Sequence, residues 1–355
     1  MLVAQHLRDL NVDPSTHPRR QAHVSAASGL ARVGGRLFIV ADDEHHLGVF
    51  DEHGSAPVRL VRAFAGDLPP SKRARKASKP DLEALLALPA MPGYPTGALL
   101  ALGSGSRPNR QIGLLAALDG HADISFPIRH LDLRPLYAPL AATFDHLNIE
   151  GAFIGSGALH LLQRASKSDP RNACISFDWG ATVRWLTGSG PAPTARAIHC
   201  HGLGRIDGVP LGFTDGAALP DGAWVFSAVA EDSDDSYADG ACKGAVLGFV
   251  DAHGALRSMQ AIEGSPKVEG IAVQIDGDML TLTLVTDGDD PARASQILSI
   301  RLALSDTLSQ PGRSISHVPT PKSSARRPTG GSGHARHQRA PGTRPSLRPP
   351  LGGAP

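Results

Sequence analysis

Five segments of the chain repeat one pattern, and this internal repeat limits the possible fold more than any other feature of the sequence. Each segment opens with a small or acidic residue, continues with an apolar stretch that starts in Gly or Ala, and passes through a turn into a second apolar strand. The segments begin at Ser28, Glu83, Glu150, Asp215 and Glu269, which lie 55, 67, 65 and 54 residues apart. A unit that recurs at such intervals is typical of a propeller or another repeat architecture.

Each unit also contains a third apolar strand after a polar loop, and two units offer a fourth, at residues 57–64 and 256–262. Turns that contain Gly or Asp-Gly join the strands at short range, as antiparallel hairpins require. Four antiparallel strands per unit, repeated around an axis, form a β-propeller blade. The sequence therefore predicts an all-β protein that folds as a single propeller of five blades.

The ends of the repeat predict how the propeller closes. The fifth unit has no fourth strand of its own, whereas residues 2–12 have an apolar pattern without a partner. We expect this N-terminal strand to complete the last blade, because an unpaired sheet edge is a liability. Residues 179–211 are long enough for a degenerate hairpin, so six blades also fit the sequence. Residues 133–147 predict a short helix limited by Pro139, and residues 69–80 a basic surface loop.

The charge of the chain is unevenly distributed. The whole chain of 355 residues has a formal charge of +1, but residues 310–355 contain eight basic residues and no acidic one. Residues 1–309 therefore hold 27 basic and 34 acidic residues, a net charge of −7. The last 46 residues also include nine Pro and seven Gly, a composition too poor in apolar surface to fold. We predict a propeller domain at 1–309 and a disordered basic tail at 310–355.

The sequence excludes several partners and cofactors. A basic tail can bind nucleic acid, but this one has no aromatic side chain for base stacking, so nucleic-acid binding is expected at most through the tail. No apolar run has the length of a signal peptide or membrane span. The three cysteines, Cys174, Cys200 and Cys242, are scattered and odd in number, which favours free thiols in a reducing compartment. We expect a cytoplasmic monomer without membrane contact and, since no phosphate-binding glycine loop occurs, without a nucleotide cofactor.

The acidic residues that open the repeats are expected to line the central channel, because the first strand of each blade is the innermost. Carboxylates at one level of a narrow ring repel each other, so they must be protonated, paired with Lys or Arg, or bridged by a cation. A hard cation such as Ca²⁺ suits a site made only of oxygen ligands. The candidate metal ligands are Glu83, Glu150, Asp215 and Glu269. Two alternatives remain open: Lys79 and Lys267 supply the positive charge, or the acidic side chains accept N–H groups of the neighbouring blade and join the blades.

Two groups of loop residues interrupt the symmetry of the repeat and are candidates for chemistry. Residues 231–244 place five carboxylates within nine residues, which fits either a cation site or a hydrated loop with local Asx turns. Loops at 104–110 and 167–171 carry basic residues that suit an anion. His199 and His201 form a possible metal pair without an evident third ligand. The candidate catalytic residues are Glu231 and Asp232, and the candidate substrate-binding residues are Arg107, Arg110 and Lys267.

Several motifs of the repeat resemble a known group of proteins. The segments Asp81-Leu-Glu-Ala-Leu, Ile149-Glu-Gly-Ala and Val268-Glu-Gly-Ile-Ala, together with the acidic run that follows Ala230, resemble bacterial propeller proteins that are known only as a domain of unknown function. The resemblance covers approximately residues 20–304. These proteins are more distantly similar to phytase-like and gluconolactonase-type propellers, in which calcium-bound acidic channels hydrolyse phosphate esters or lactones. Ser28 stands where the other units have an acidic residue, so no complete catalytic set is carried over.

Two functions follow from the sequence and the resemblance. The first is a divalent-metal (calcium)-dependent hydrolase of a small anionic phosphate ester or lactone. In this hypothesis the channel carboxylates hold the ion, Glu231 or Asp232 orients a water molecule, and the three basic candidates bind the charge of the substrate. The second is a non-catalytic propeller that binds a small anionic molecule or a protein on the channel face.

Overall fold

The computed structural model describes residues 1–166, 169–232, 240–288 and 290–308. The predicted tail at 310–355, Lys167 and residues 233–239 of the acidic loop lie outside the described residues. The chain is mostly β and forms five sheets arranged as a five-bladed β-propeller. The predicted fold class is therefore confirmed.

Each blade is an antiparallel sheet of consecutive strands, except that the last blade also takes in the first strand of the chain. Blade 1 contains β2 (Ala27–Val33), β3 (Arg36–Ala41), β4 (His46–Asp51) and β5 (Arg59–Arg62). Blade 2 contains β6 (Leu82–Leu88), β7 (Ala98–Gly103), β8 (Ile112–Ala117) and β9 (Arg129–Asp132). Blade 3 contains β10 (Ile149–Gly155), β11 (Ala158–Gln163), β12 (Asn172–Asp178) and β13 (Ala197–His201). Blade 4 contains β14 (Arg205–Ile206), β15 (Val209–Ala218), β16 (Trp224–Asp232), β17 (Ala241–Val250) and β18 (Leu256–Ala261). Blade 5 contains β1 (Gln5–Asp9), β19 (Val268–Asp276), β20 (Met279–Thr286) and β21 (Gln296–Ala303).

The inner strands β2, β6, β10, β15 and β19 contact one another in order, and β19 also contacts β2, which closes the ring. The central strands of each blade are covered on both faces by neighbouring blades, so they are nearly continuous apolar runs. All six residues of β7, for example, are buried. Close packing also explains Gly248, where a Cβ atom would lie 2.1 Å from the ring of Phe226. The core is thus distributed between the blades around the channel.

The N-terminal strand completes the last blade, as the sequence predicted. β1 pairs antiparallel with β21, with Gln5 opposite Ser299 and Asp9 opposite Gln296. Leu2 forms a further bridge with Ile262 and is buried. The first and last described strands of the chain are therefore neighbours in one sheet.

Helices fill two of the segments between strands, one between blades 2 and 3 and one within blade 3. The helix expected before the third unit is present as α2 (Arg134–Ala141), with Pro139 inside it. A second helix, α3 (Trp179–Leu186), lies where a sixth blade would have placed a hairpin. Its apolar side packs on blade 3 through Leu186, and the following residues form β13, the outer strand of that blade. The structure therefore contains five blades, not six.

The basic segment at 69–80 differs from its prediction, since it contains a helix rather than only a loop. This helix, α1 (Lys72–Ser78), begins after Ser71, whose hydroxyl accepts the N–H of Ala74. Arg75 is buried beneath it and contacts Asp43 at 2.8 Å. A last short helix, α4 (Leu304–Leu308), follows β21. In the part of the chain that the structure describes, no helix has both the length and the apolar character needed to cross a membrane.

Candidate functional site

A cavity of about 1160 Å³ occupies the axis of the propeller, and all five blades contribute residues to its wall. Its charged residues are nearly balanced in sign. Among the described residues, the acidic ones are Asp42, Asp81, Glu83, Glu150, Glu231, Asp232, Glu269 and Asp287. The basic ones are Lys76, Lys79, Arg107, Arg110, Arg164, Arg205 and Lys267. The cavity is therefore a polar chamber in which opposite charges face each other, rather than a purely acidic channel.

A bulge in the inner strand places one side chain of most blades in this cavity. In blade 2, Leu82 is opposite Gly103 and Ala84 is opposite Leu102, so Glu83 has no partner across the ladder. The same irregularity occurs in blades 1, 3 and 5. A bulge re-aims one side chain and bends the strand locally. The residues at the bulges that line the cavity are Ser28, Glu83, Glu150 and Glu269.

Asp215 does not belong to this set, although its sequence context matched the other anchors. In blade 4 the ladder pairs Phe213 with Ala228 and Asp215 with Ser227, so Thr214 occupies the bulge. Asp215 lies one residue later, and a shift of one residue turns a strand side chain to the other face. Its carboxylate is buried and accepts the N–H of Gly216 at 2.8 Å and of Ile271, in blade 5, at 2.9 Å.

The structure therefore corrects the grouping of Asp215 with the candidate metal ligands. One of its oxygens accepts the N–H of Ile271 from the neighbouring blade, the other accepts the N–H of Gly216 in its own strand, and Asp215 is absent from the wall of the cavity. This agrees with the alternative in which an acidic residue joins neighbouring blades.

Between blades 1 and 2, the cavity wall contains a cluster of charged groups around Asp81. The Asp81 carboxylate contacts the Lys79 ammonium at 2.8 Å, the Arg110 guanidinium at 2.8 Å and the hydroxyl of Ser104 at 2.6 Å. Lys79 also donates to the carboxylate of Asp42. Burial acts to lower the pKa of Lys79, but the carboxylates of Asp42 and Asp81 outweigh it and raise that pKa above its usual value. The two acids and two bases of this cluster neutralise each other.

Glu83 lies beside the Asp81 cluster but differs from its neighbours. Oxygen atoms of Asp42, Asp81 and Glu83 all lie within 4.8 Å of one another. Among the described residues no Lys or Arg nitrogen lies within 4.0 Å of the Glu83 carboxyl group. Burial raises the pKa of Glu83 well above its usual value, and the negative charges of Asp81 and Glu150 raise it further. The Lys79 ammonium acts against these effects, and the net shift makes protonation of Glu83 easier than for a carboxyl group in water.

Between blades 3 and 4, Arg164 joins two carboxylates in the wall of the cavity. Its guanidinium contacts Glu150 at 3.1 Å and Glu231, in blade 4, at 2.7 Å. Arg164 was not among the candidate residues from the sequence, although its position carries a signal. It follows the second strand of blade 3 directly, as Asp42 follows the second strand of blade 1, and both residues line the cavity.

In blade 5, Lys267 likewise lies close to carboxylates from two blades. Its ammonium lies 3.0 Å from Asp287, 3.5 Å from Glu269 and 3.8 Å from Glu231. Burial raises the pKa of Glu269 to about 8, against the opposing effects of Lys267 and Arg164. The suggestion from the sequence that lysines neutralise the channel acids thus describes the geometry of both Lys79 and Lys267.

The remaining candidates from the sequence occupy different environments. Arg110 is buried and bound to Asp81, whereas Arg107 lines the cavity with an exposed side chain. Glu231 and Asp232 both line the cavity, and Asp232 is the more exposed of the two. His201 lines the cavity edge-on to Trp224, with ring centres 5.6 Å apart.

The donor set that best fits a metal differs from the predicted one. Within the described residues, the group of His, Cys, Asp and Glu side chains close enough to hold an ion is Asp42, Asp81 and Glu83. Only Glu83 was among the predicted ligands. Three carboxylate oxygens suit a hard cation such as Ca²⁺, but the Lys79 ammonium already contacts Asp42 and Asp81. The cluster therefore has the oxygen ligands for a metal, but the Lys79 ammonium competes with a metal for them.

Comparison with known proteins identifies the group to which the chain is related. The chain matches, over residues 23–302, a family described as "Family of unknown function (DUF6929)". No curated protein matches it.

Three solved structures are among those to which the chain is similar. The glutaminyl cyclase of Myxococcus xanthus is 13% identical, with a TM-score of 0.41 over 84% of this chain and 97% of that chain. The catalytic domain of a Coprinopsis cinerea GH62 α-L-arabinofuranosidase is 11% identical, with a TM-score of 0.44 over 84% and 97%. A gluconolactonase of Xanthomonas campestris is 11% identical, with a TM-score of 0.37 over 77% and 72%. The named activities are those of the three proteins themselves.

Proposed function

The chain belongs to the family of unknown function DUF6929, and we propose that it is a hydrolase that cleaves a small anionic ester or lactone in the axial cavity. The observation that carries this proposal is the environment of Glu83. This carboxyl group faces the cavity without a cation within 4.0 Å among the described residues, next to carboxylates that are held by Lys79 and Arg110. A neutral carboxyl group close to charged carboxylates is an arrangement that supports general acid–base catalysis.

The residues of the cavity suggest a role for each reacting group. A water molecule adds to the carbonyl or phosphoryl centre and gives its proton to the Glu231 carboxylate, which Arg164 holds at 2.7 Å. The bond to the leaving oxygen breaks, and Glu83 donates its proton to that oxygen. Glu231 then returns a proton to Glu83 through solvent, so protons balance over the cycle. Arg107, exposed in the wall of the cavity, would bind the negative charge of the substrate.

A second candidate function keeps the calcium ion that the sequence analysis expected. The oxygens of Asp42, Asp81 and Glu83, within 4.8 Å of one another, would hold the ion, which would polarise the substrate as a Lewis acid. In that case Glu83 is a ligand rather than a proton donor. In a third function, the same face binds a ligand without reacting with it. Glu83 is then neither a metal ligand nor a proton donor.

An activity screen separates these functions. Purified full-length protein is assayed on phosphate monoesters, phosphodiesters and aldonolactones, each with and without EDTA, and the active substrate is then tested with Glu83→Gln. Hydrolysis that resists EDTA and is lost in Glu83→Gln supports the acid–base proposal, and hydrolysis that EDTA abolishes supports the calcium route. No hydrolysis of any substrate, together with saturable binding of one of them, would favour the non-catalytic function.

A further inference from the structure

The Lys79 side chain lies within the acidic cluster, and backbone hydrogen bonds on both sides of the residue fix its position. Lys79 is 5% exposed, and its backbone is held from both sides. Its N–H donates to the carbonyl of Arg75 at the end of α1 at 2.8 Å, and its carbonyl accepts from Asn109 at 2.9 Å. Pro80 follows directly and restricts the backbone further. The ammonium group is therefore delivered to the cluster by a backbone that has little freedom to withdraw it.

The helix that precedes Lys79, α1, is itself fixed to blade 1. Arg75 contacts the Asp43 carboxylate at 2.8 Å and donates to the carbonyls of Pro69 and Pro70. Arg110, from blade 2, donates to the carbonyl of Lys76. Contacts from two blades thus hold α1 at the wall of the cavity, and they hold Lys79 with it.

The charges of the cluster are balanced without a metal. Asp42 and Asp81 contribute two negative charges, and Lys79 and Arg110 contribute two positive charges at contact distance. A divalent ion added to this arrangement would face two fixed cations and would leave the cluster with a surplus of positive charge. Because buried charges are stable only when they are paired, a metal must displace the Lys79 ammonium before it can bind.

We infer that Lys79 is the resident cation of this site: its tethered ammonium takes the position of a divalent metal between Asp42 and Asp81, and the wild-type site does not need a metal. The carboxyl groups of Asp42, Asp81 and Glu83 become a divalent-cation site when the positive charge of Lys79 is removed. This inference rests on the proposed function, because it selects the metal-free route for the same site.

The test is a calorimetric titration of the full-length protein with CaCl₂, MgCl₂ or MnCl₂ alone. Wild type is expected to show no saturable binding at millimolar concentrations and no change in melting temperature with EDTA. Lys79→Met keeps most of the volume of the side chain without its charge, and we expect it to bind one ion at least ~10-fold more tightly than wild type. Lys79→Arg retains the charge and is expected to behave like wild type. Lys76→Met makes the same substitution at a lysine of the cavity wall outside the cluster and serves as the matched control.

Stability provides a second measurement if Lys79→Met folds poorly, because the variant leaves Asp42 and Asp81 without their cation. Calcium or manganese should then raise its melting temperature and leave that of wild type unchanged. Saturable binding of a divalent ion by wild type that Asp42→Asn weakens would overturn the inference. So would a folded Lys79→Met that binds no ion.

The outcome for the proposed function is read separately. Hydrolysis that EDTA abolishes in wild type contradicts the inference and leaves a hydrolase. Absence of hydrolysis together with metal-free wild type and metal binding by Lys79→Met contradicts the proposed function and leaves the inference intact.

Discussion

The Asp215 carboxylate accepts the N–H of Ile271 at 2.9 Å, and this hydrogen bond connects the inner strands of blades 4 and 5. The other oxygen accepts the N–H of Gly216, and the side chain is buried. Asp215, the acidic anchor of the repeat in blade 4, therefore stabilises the contact between blades and does not line the channel.

Removal of this carboxylate should destabilise the protein without affecting the cavity. Asp215→Ala leaves two buried N–H groups without an acceptor, and we expect the free energy of unfolding to fall by about 2–4 kcal/mol. Urea denaturation measures the change. Glu263→Ala, at an exposed position, is the control and should stay within about 0.5 kcal/mol of wild type. A stable Asp215→Ala that had lost hydrolysis would point to a role in the channel instead.

Glu83→Gln tests the proton donor directly. Gln has the size of Glu but cannot donate a carboxylic proton, so kcat should fall by about 10²–10⁴-fold on a substrate with a poor leaving group. The loss should be much smaller on an activated ester, whose leaving group does not need protonation. Steady-state kinetics on both substrates check this, with melting temperature as the control for folding. Equal losses on the two substrates would argue against proton donation by Glu83.

The pH dependence of stability should contain a contribution from Glu269. Burial raises its pKa to about 8 in the folded protein, so the folded state retains a proton that the unfolded state releases near pH 4.5. The stability that this proton provides is present below that pH and is lost as the pH rises toward 8. Glu269→Gln removes the titration, so its free energy of unfolding should fall less than that of wild type between pH 5 and 8. Denaturation curves across that range measure the difference, and parallel pH profiles for the two proteins would contradict the prediction.

Arg164→Met should be strongly destabilising, because it leaves the buried carboxylate of Glu150 and the partly buried carboxylate of Glu231 without their shared cation. Breaking a buried ion pair from one side costs about 3–5 kcal/mol. The double variant Arg164→Met/Glu150→Gln should recover part of this loss, since it removes one of the uncompensated charges. Arg134→Met breaks the exposed pair with Asp132 and should change stability by less than about 1 kcal/mol. Chemical denaturation of wild type, Arg164→Met, Glu150→Gln, the double variant and Arg134→Met decides, and additive effects at Arg164 and Glu150 would exclude the coupling.

The propeller could be predicted because the sequence pattern that produces it is periodic. Apolar strands, short turns and repeated anchors recur in every unit, and an unmatched N-terminal strand accounted for closure through β1 and β21. Six blades remained an alternative where the repeat is interrupted. The segment around α3 alternates apolar and polar residues over so short a range that a helix and a hairpin are both compatible with it.

The candidate site was predictable in part. Glu83, Glu150 and Glu269 were correctly placed on the cavity wall by their position in the repeat, whereas Asp215 was not. The difference is the position of one β-bulge, at Thr214 rather than at the acidic residue, and no residue type at that point distinguishes the two registers. The pairing of Arg164 with Glu231 joins residues 67 positions apart, so only the arrangement of the blades reveals it.

The pairing of β1 with β21 also affects how the chain reaches its folded state. During synthesis the strand made first must wait without a partner until residue 303 has been made, almost the whole described length of the chain later. Contacts so distant in sequence form late, because a long loop must close before they contribute. Until then the outer edge of blade 5 is open to pairing with another molecule. The pairing of β1 with β21 thus delays closure of the ring until late in folding.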